Sequence, residues 1–423
     1  MTTNPQQRWF QDGRLHMGLG IEDTFVPQHR PGERAIDEYE LTEHYERFAE
    51  DFALASDVGA TVLRWGVPWY RVSPEKGAWD WSWTDRAVDA MLSQGLRPIV
   101  DLVHYGTPLW LDEQFANPEY PQHIEDYARR FAERYGDRIT DYTPVNEPVI
   151  HALFCGEYGY WPPYLEGAGG FARIAVNLAR GFVRTQRAIA GVIGDRATFV
   201  HVEAAMDFVG DDTAPEHHAE AERLRHQVHL VEDLVTGRVD DTHPLRDRLG
   251  TAVSEVELDW FREHAVQPDI MGVNYYPRHS TELFEAGVSH RGGFADPRPS
   301  VDRGADGLRA ALEGFAARYR APVMVTETCI TGTVEERISW LEESTELVAR
   351  MRDEGTEVVG YVWWPLFDMY EWTWRHSREP REAHLLTMGL YALTETPEGL
   401  LREPTPAADR YRQIARRAAS IHH

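Results

Sequence analysis

The feature that most constrains this chain is an alternation repeated along its whole length. Eight apolar, β-prone runs, at 15–22, 60–69, 97–105, 139–147, 197–206, 270–276, 322–327 and 358–368, are each followed by a longer polar segment. The runs are nearly continuous in apolar residues, as strands buried on both faces of a parallel sheet read. The segments between them have helical period: Leu41, Tyr45, Phe48, Phe52 and Ala55 recur every three to four residues, as do Ile124, Tyr127, Phe131 and Tyr135, and again Leu308, Leu312, Phe315 and Tyr319. Eight such units predict an α/β chain folded as a (β/α)8 barrel, with its active site where the strands end. The rival, a doubly wound open sheet, calls for a G-x-G-x-x-G after a strand, and none follows any of the runs. No repeat of short period and no Pro/Gly/Ser linker divides the chain, so residues 1–423 read as one catalytic domain with long loops.

Charge removes several functions. Asp and Glu number 69 against 43 Lys and Arg, a formal charge of -26, and Lys76 is the only lysine. Such a surface repels phosphate backbones and anionic membranes, so neither nucleic acid nor a membrane is expected as a partner. Cys155 and Cys329 are the only cysteines, too few for a disulfide framework. The N-terminus lacks a basic region leading into an apolar run, and no stretch approaches the roughly 20 apolar residues of a membrane span. The expected location is cytoplasmic.

A barrel requires that reacting groups sit at the C-terminal ends of its strands. Here the third run closes on Asp101 and His104, the fourth on Asn146 and Glu147, the sixth on Asn274, Tyr275 and Tyr276, and the seventh on Thr326 and Glu327. The eighth passes through Trp363 and Trp364 to Asp368 and Glu371, and Arg64 interrupts the apolar second run. Singly, each has a plainer reading: a Glu caps a helix, a His is a hydrogen-bonded structural imidazole, an Arg is an ion-pair partner. Together they place two carboxylates, Glu147 and Glu327, across a barrel mouth. Glycoside cleavage needs such a pair, one acid to protonate the leaving oxygen and one carboxylate to attack or to activate water. The two must differ in environment, and a cation such as Arg64 beside one of them favours its charged form.

At these residues the chain resembles glycoside hydrolase family 1, the retaining β-glycosidases, from about Ala60 to Tyr391. Thr143-Pro-Val-Asn-Glu-Pro148 is similar to the family's T-F/L-N-E-P, which implies Glu147 as general acid/base and Asn146 as a partner of the sugar 2-hydroxyl. Val325-Thr-Glu-Thr328 is similar to I-T-E-N-G, implying Glu327 as nucleophile, with Thr328-Cys329 in place of Asn-Gly. Arg64 resembles the arginine that lies against the nucleophile. His104 resembles the sugar-binding His of H-W-D-L-P-x-W-L, with Tyr105 where that motif has Trp. G-V-N-Y-Y, ending in Tyr276, implies a hydrogen bond from Tyr276 to the nucleophile, with Asn274 also supporting it. W-P-L-F-D-M-Y-E-W implies Trp364 as the platform under the sugar ring, and Glu371 and Trp372 as grips on its outer hydroxyls. Tyr158, Tyr160 and Trp161 fall where the leaving-group side would be lined.

The resemblance implies a retaining β-glycosidase of the β-glucosidase kind, acting on a small β-glycoside or short oligosaccharide in carbohydrate metabolism, with no cofactor and no metal. Transglycosylation on the same site and a non-catalytic sugar-binding barrel are the alternatives. A metal-dependent hydrolase on this barrel wants H-x-H on the first strand, which offers only His16. One departure bears on the substrate: the family's first strand ends in a sugar-binding glutamine, and Phe25 stands near that register. Glu22 or Asp23 is the candidate replacement; the other reading has these acids capping the next segment or pairing with Arg30 or Arg34. Segment 373–387, with three arginines and two histidines, reads either as a contact to a bulky or anionic substituent or as a solvated loop.

Overall fold

The computed structural model describes residues 8–210, 214–284 and 299–420. Eight parallel strands close a barrel in the order β1-β8-β7-β6-β5-β4-β3-β2. They are β1 (His16–Gly20), β2 (Val62–Gly66), β3 (Arg97–Asp101), β4 (Asp141–Thr143), β5 (Thr198–Ala204), β6 (Ile270–Asn274), β7 (Val323–Glu327) and β8 (Val358–Trp363). Each lies within one of the eight apolar runs, and all but the ends of β1 and β3 are fully buried. Burial on both faces is what continuous apolar runs require.

The amphipathic segments form the outer layer: α1 (His44–Asp57), α2 (Ser82–Ser93), α3 (Tyr120–Tyr135), α4 (Gly167–Ile193), α5 (Glu255–His264), α6 (Gly304–Tyr319), α7 (Val334–Asp353) and α8 (Pro406–Ser420). In α3 the predicted stripe is fully buried, Ile124, Tyr127, Phe131 and Tyr135 all at 0% exposure. Capping fixes where some helices start: Ser254 opens α5 and Thr333 opens α7, each bonded reciprocally with the Glu three residues on. Val62, Ile99, Val200, Ile270, Met324 and Val362 form a buried apolar cluster within the barrel, while a larger cluster fills the space between strands and helices. Among the described residues no helix is long and apolar enough to cross a membrane, and both cysteines are free and buried.

Two irregularities position the site. The register of β7 on β6 shifts between Val325 and Glu327, so that Glu327 lies beside Asn274. After β4 the chain leaves the ladder and returns at Asn146, which bridges to Val202. Glu147 follows with φ 41° and ψ 63°, a left-handed conformation rare outside glycine, and Pro148 begins a short helix, Pro148–His151. Strain of this kind persists only where its surroundings hold it. Here Glu147 N–H donates to Val202 O at 3.1 Å and Asn146 N–H to Val103 O at 2.9 Å.

Candidate active site

Arg64, on β2, is fully buried and is the hub of the barrel mouth. Its Nε and Nη2 donate to the two oxygens of Asp101 at 3.2 and 2.5 Å, and Nη2 also donates to Asn146 Oδ1 at 2.6 Å. Nη1 donates to Glu327 Oε1. The other oxygen of Glu327 accepts from the Tyr276 hydroxyl at 2.6 Å. Glu327 is thus held at the end of β7 by a cation and a phenol, as the resemblance implied for Arg64 and Tyr276.

Among the described residues no cation is bonded to Glu147. Asn274 Nδ2 donates to its Oε1 at 2.8 Å, and the Tyr105 hydroxyl donates to its Oε2. This corrects one expectation: Asn274 is bonded to Glu147, not Glu327, because its Oδ1 is turned back to accept from Thr326 Oγ1 at 2.7 Å and aims the amide nitrogen across the mouth. Tyr105 was not singled out. Its φ of 69° swings the ring over Asn146 and Glu147, and only the presence of Tyr where the motif has Trp signalled a new hydroxyl there.

Burial pushes the carboxyl of Glu147 up from its ordinary range, with hydrogen bonds from Tyr105 and Asn274 opposing it. Burial likewise raises Glu327, and the Arg64 charge pulls it back. The two carboxyls are electrostatically linked and titrate as a pair. The guanidinium touches Glu327 and not Glu147, which favours the charged form of Glu327 over that of Glu147.

His104, at the end of the β3 loop, is 7% exposed. Its Nδ1 lies 2.8 Å from Asp23 Oδ1 and 3.4 Å from Asp101 Oδ2, and its Nε2 is 3.1 Å from Asn146 Nδ2. Asp23 is pushed up to about 6 by burial, while His104 opposes that rise. Burial acts to lower His104, but Asp23, Asp101 and Glu22 overcome it and the imidazole is raised well above its usual range. Asp23, Asp101 and His104 bring one ligand atom each within 4.8 Å of one another. The bidentate bond from Arg64 already occupies Asp101, so a bound cation there would face a guanidinium, and the cluster reads as an internal charge network.

The expected replacement of the family glutamine takes a different form. Glu22 accepts from the Trp364 indole at 2.8 Å and from Thr24 N–H at 3.1 Å, and Asp23 pairs with His104; neither meets Arg30 or Arg34. Gly66 permits this, since a Cβ there would lie 1.4 Å from Asp23 Oδ2. Phe25 stacks on Tyr70 at 3.4 Å.

Trp364 is also placed differently from a sugar platform with an open face. It has 0% exposure, stacks on His104 at 5.6 Å and carries the Arg64 guanidinium 4.7 Å from its ring centre. Gly20 closes its other approaches: a Cβ there would lie 1.8 Å from the indole. Asp368 turns into the loop, accepting from the backbone of Met388, Gly389 and Leu393. Trp161 is buried against Tyr105 and Trp372, so it belongs to the packing rather than to a lined surface.

A cavity of about 380 Å³ reaches Glu147, Asn274 and Tyr276, with Trp372, Tyr158, Phe154 and Met206 on its walls. That volume is in the range of small-molecule sites. Glu371 stands at the rim, its side chain 43% exposed and 3.6 Å from His384 Nδ1. Tyr160 packs edge-on to His376 near this rim. Segment 373–387 is in part the solvated loop expected, with His376 and Arg378 exposed, and in part tied down. Arg375 is fully buried and bonds Glu33, the Tyr164 hydroxyl and the carbonyls of Val26 and Arg34, and Arg381 bonds Glu395. Those two arginines fasten the segment to residues 26–34, to Tyr164 and to the hairpin that carries Glu395.

The chain matches the model of glycosyl hydrolase family 1 over residues 7–379. Among curated proteins it is similar to β-glucosidase A of Thermotoga maritima, 24% identical over 390 residues, with 85% of this chain and 86% of that protein covered. It is also similar to a bifunctional β-D-glucosidase/β-D-fucosidase of Bifidobacterium breve, 28% identical over 394 residues, covering 79% and 81%. Among solved structures, the family 1 β-glucosidase from Thermotoga maritima superposes with a TM-score of 0.78 at 19% identity, covering 96% of this chain and 98% of that one. The same enzyme in complex with deoxynojirimycin gives 0.79 at the same identity and coverage. These superpositions speak to the barrel.

Proposed function

Since the chain belongs to glycosyl hydrolase family 1 and is a glycoside hydrolase that cleaves β-glycosidic bonds with retention, we propose that Glu327 is its nucleophile and Glu147 its general acid/base. The observation that carries this division is the asymmetry of their partners. Glu327 is bonded to the Arg64 guanidinium and the Tyr276 hydroxyl, whereas Glu147 is buried and among the described residues accepts from the neutral donors Tyr105 and Asn274.

In the first step the Glu327 carboxylate attacks the anomeric carbon while Glu147 gives its proton to the departing glycosidic oxygen. The glycosyl–Glu327 ester forms as the aglycone leaves as an alcohol. Glu147, now ionised, takes a proton from water, whose oxygen attacks the anomeric carbon, and Glu327 departs as a carboxylate. Two inversions give net retention. Asn146 and His104, adjacent at 3.1 Å, are the inner hydroxyl contacts, and Trp372 and Glu371 the outer ones; Trp364 supports them from behind.

The substrate proposed is a small β-glucoside or a close relative of one, consistent with the activities named for the similar proteins. We further read residues 1–423 as one catalytic domain, serving carbohydrate metabolism in the cytoplasm, where two buried free cysteines are at home. The test is Glu327→Ala on an aryl β-glycoside. Turnover is expected to vanish, and added azide to yield the α-glycosyl azide, because one inversion remains. A β-glycosyl azide, or an active Glu327→Ala enzyme, overturns the assignment.

A further inference from the structure

Behind one wall of the active-site cavity lies a second cavity, of about 290 Å³. Ala205, Met206 and Ser280 line both. The remaining walls are unusual for a chain whose formal charge is -26. Three guanidiniums, Arg225, Arg303 and Arg318, line it together with His229, against a single carboxylate, Asp207. Arg225 pairs with Asp207 at 2.7 Å, and Arg318 with the buried Asp233 behind the wall. Arg303, exposed at the start of α6, has no carboxylate within ion-pair distance among the described residues. Among the described residues that guanidinium has no paired carboxylate, so the cavity lining carries a net positive charge.

Below that charge the lining is apolar and open. α6 presents Ala311 and Gly314 where longer side chains would fill the space, Tyr275 packs against Gly307, and Phe315 and Met206 complete the apolar lining. A Cβ built on Gly314 meets nothing within 4 Å. His229 packs edge-on to Phe315 at 5.0 Å. Burial pushes its imidazole down to about 4, and the nearby Arg318 adds to the fall, so the ring is neutral and a hydrogen-bonding group rather than another cation.

We propose that this cavity is a binding site for an oxyanion carried on a small apolar body, an aromatic acid being the simplest case. Guanidiniums recognise carboxylate or phosphate oxygens through paired N–H donors, and Arg303 has its donors available. The ring would lie on Phe315 and the small-residue face of α6. Size agrees: an apolar cavity of about 150 Å³ takes benzene, and this one is larger. None of these residues belongs to the catalytic floor. The anion has two possible sources, the aglycone of the enzyme's own substrate, reaching past Met206, or a separate small acid.

The experiment is calorimetric titration of the full chain with benzoate, and with benzamide as the neutral control. One benzoate is expected to bind per chain, more tightly than benzamide by on the order of tenfold, the value of a hydrogen bond to a charged group. Arg303→Ala should remove that preference. Gly314→Trp, which fills the cavity from an exposed helix position, should abolish binding of both. Each variant should hydrolyse a neutral aryl β-glycoside at the wild-type rate, so failure here is separable from failure of the catalytic assignment. Equal affinity for benzoate and benzamide, or benzoate binding that survives both substitutions, overturns the proposal. The source follows from KM for 4-carboxyphenyl and phenyl β-glycosides. A lower KM for the charged one that disappears in Arg303→Ala assigns the anion to the substrate. Equal KM values with retained benzoate binding assign a separate ligand.

Discussion

At the floor of the active site Arg64 directs its donors to Asp101, Asn146 and Glu327, and neither it nor Asp101 has any exposed side chain. At the rim Glu371 keeps 43% of its side chain in solvent, with His384 3.6 Å away. Both regions contain carboxylates beside basic groups, yet they do different work. On the floor, low local dielectric makes each unpaired charge costly, so the network locks every member in place. At the rim water competes for each contact, and an exposed pair contributes little. The floor can therefore hold two carboxylates in different environments, a difference that solvent would level at the rim.

Three substitutions test that contrast, in descending order of effect. Arg64→Met would leave Asp101 and Glu327 buried without their cation. Stability should fall by about 3–5 kcal/mol, the cost of breaking a buried pair, and kcat/KM by on the order of 10²–10³-fold, as when a stabilising donor is removed from a reacting centre. Denaturant unfolding and initial rates measure both. A loss no larger than at the rim would erase the distinction.

Tyr105→Phe removes one donor to Glu147 while keeping the ring that packs on Trp161 and Trp372. The lost hydrogen bond favoured the ionised carboxyl, so its removal raises the pKa of Glu147 further. The acid must be protonated for the first step, so the alkaline limb of the kcat/KM profile should move to higher pH, by about one unit if the bond is worth about 1.5 kcal/mol. A shift to lower pH would mean that Tyr105 does not donate to the charged form.

Glu371→Gln should have the smallest effect, a rise in KM of roughly two- to tenfold with kcat unchanged, the pattern of a contact made equally in ground and transition states. A hundredfold fall in kcat would show instead that the rim takes part in the chemistry.

The barrel and its two glutamates were legible because both leave local signatures. A strand buried on both faces must be apolar throughout, and a polar group facing the barrel mouth must interrupt that pattern at the strand's end, as Glu147 and Glu327 do. Tyr276 and Arg64 also met the expected partner. Asn274 did not, since which carboxyl an amide reaches depends on the shifted register of β7 and on Thr326 holding its oxygen. Nor was the burial of Trp364 legible, because it follows from Gly20, His104 and Arg64 converging from three strands or their loops.

By itself, then, the order of residues determined the period of the strands, the barrel that eight such units imply and the placing of Glu147 and Glu327 at strand ends, since each leaves a signature among neighbours a few positions apart. Only the tertiary structure decided which carboxyl the Arg64 guanidinium touches, that Tyr105 bonds Glu147, that Glu22 and Asp23 turn inward, and that Arg225 faces one cavity together with Arg303 and Arg318 from the two ends of α6. Those outcomes depend on distances of 3 or 4 Å between residues far apart in the chain, and electrostatic and hydrogen-bond energies change steeply over that range.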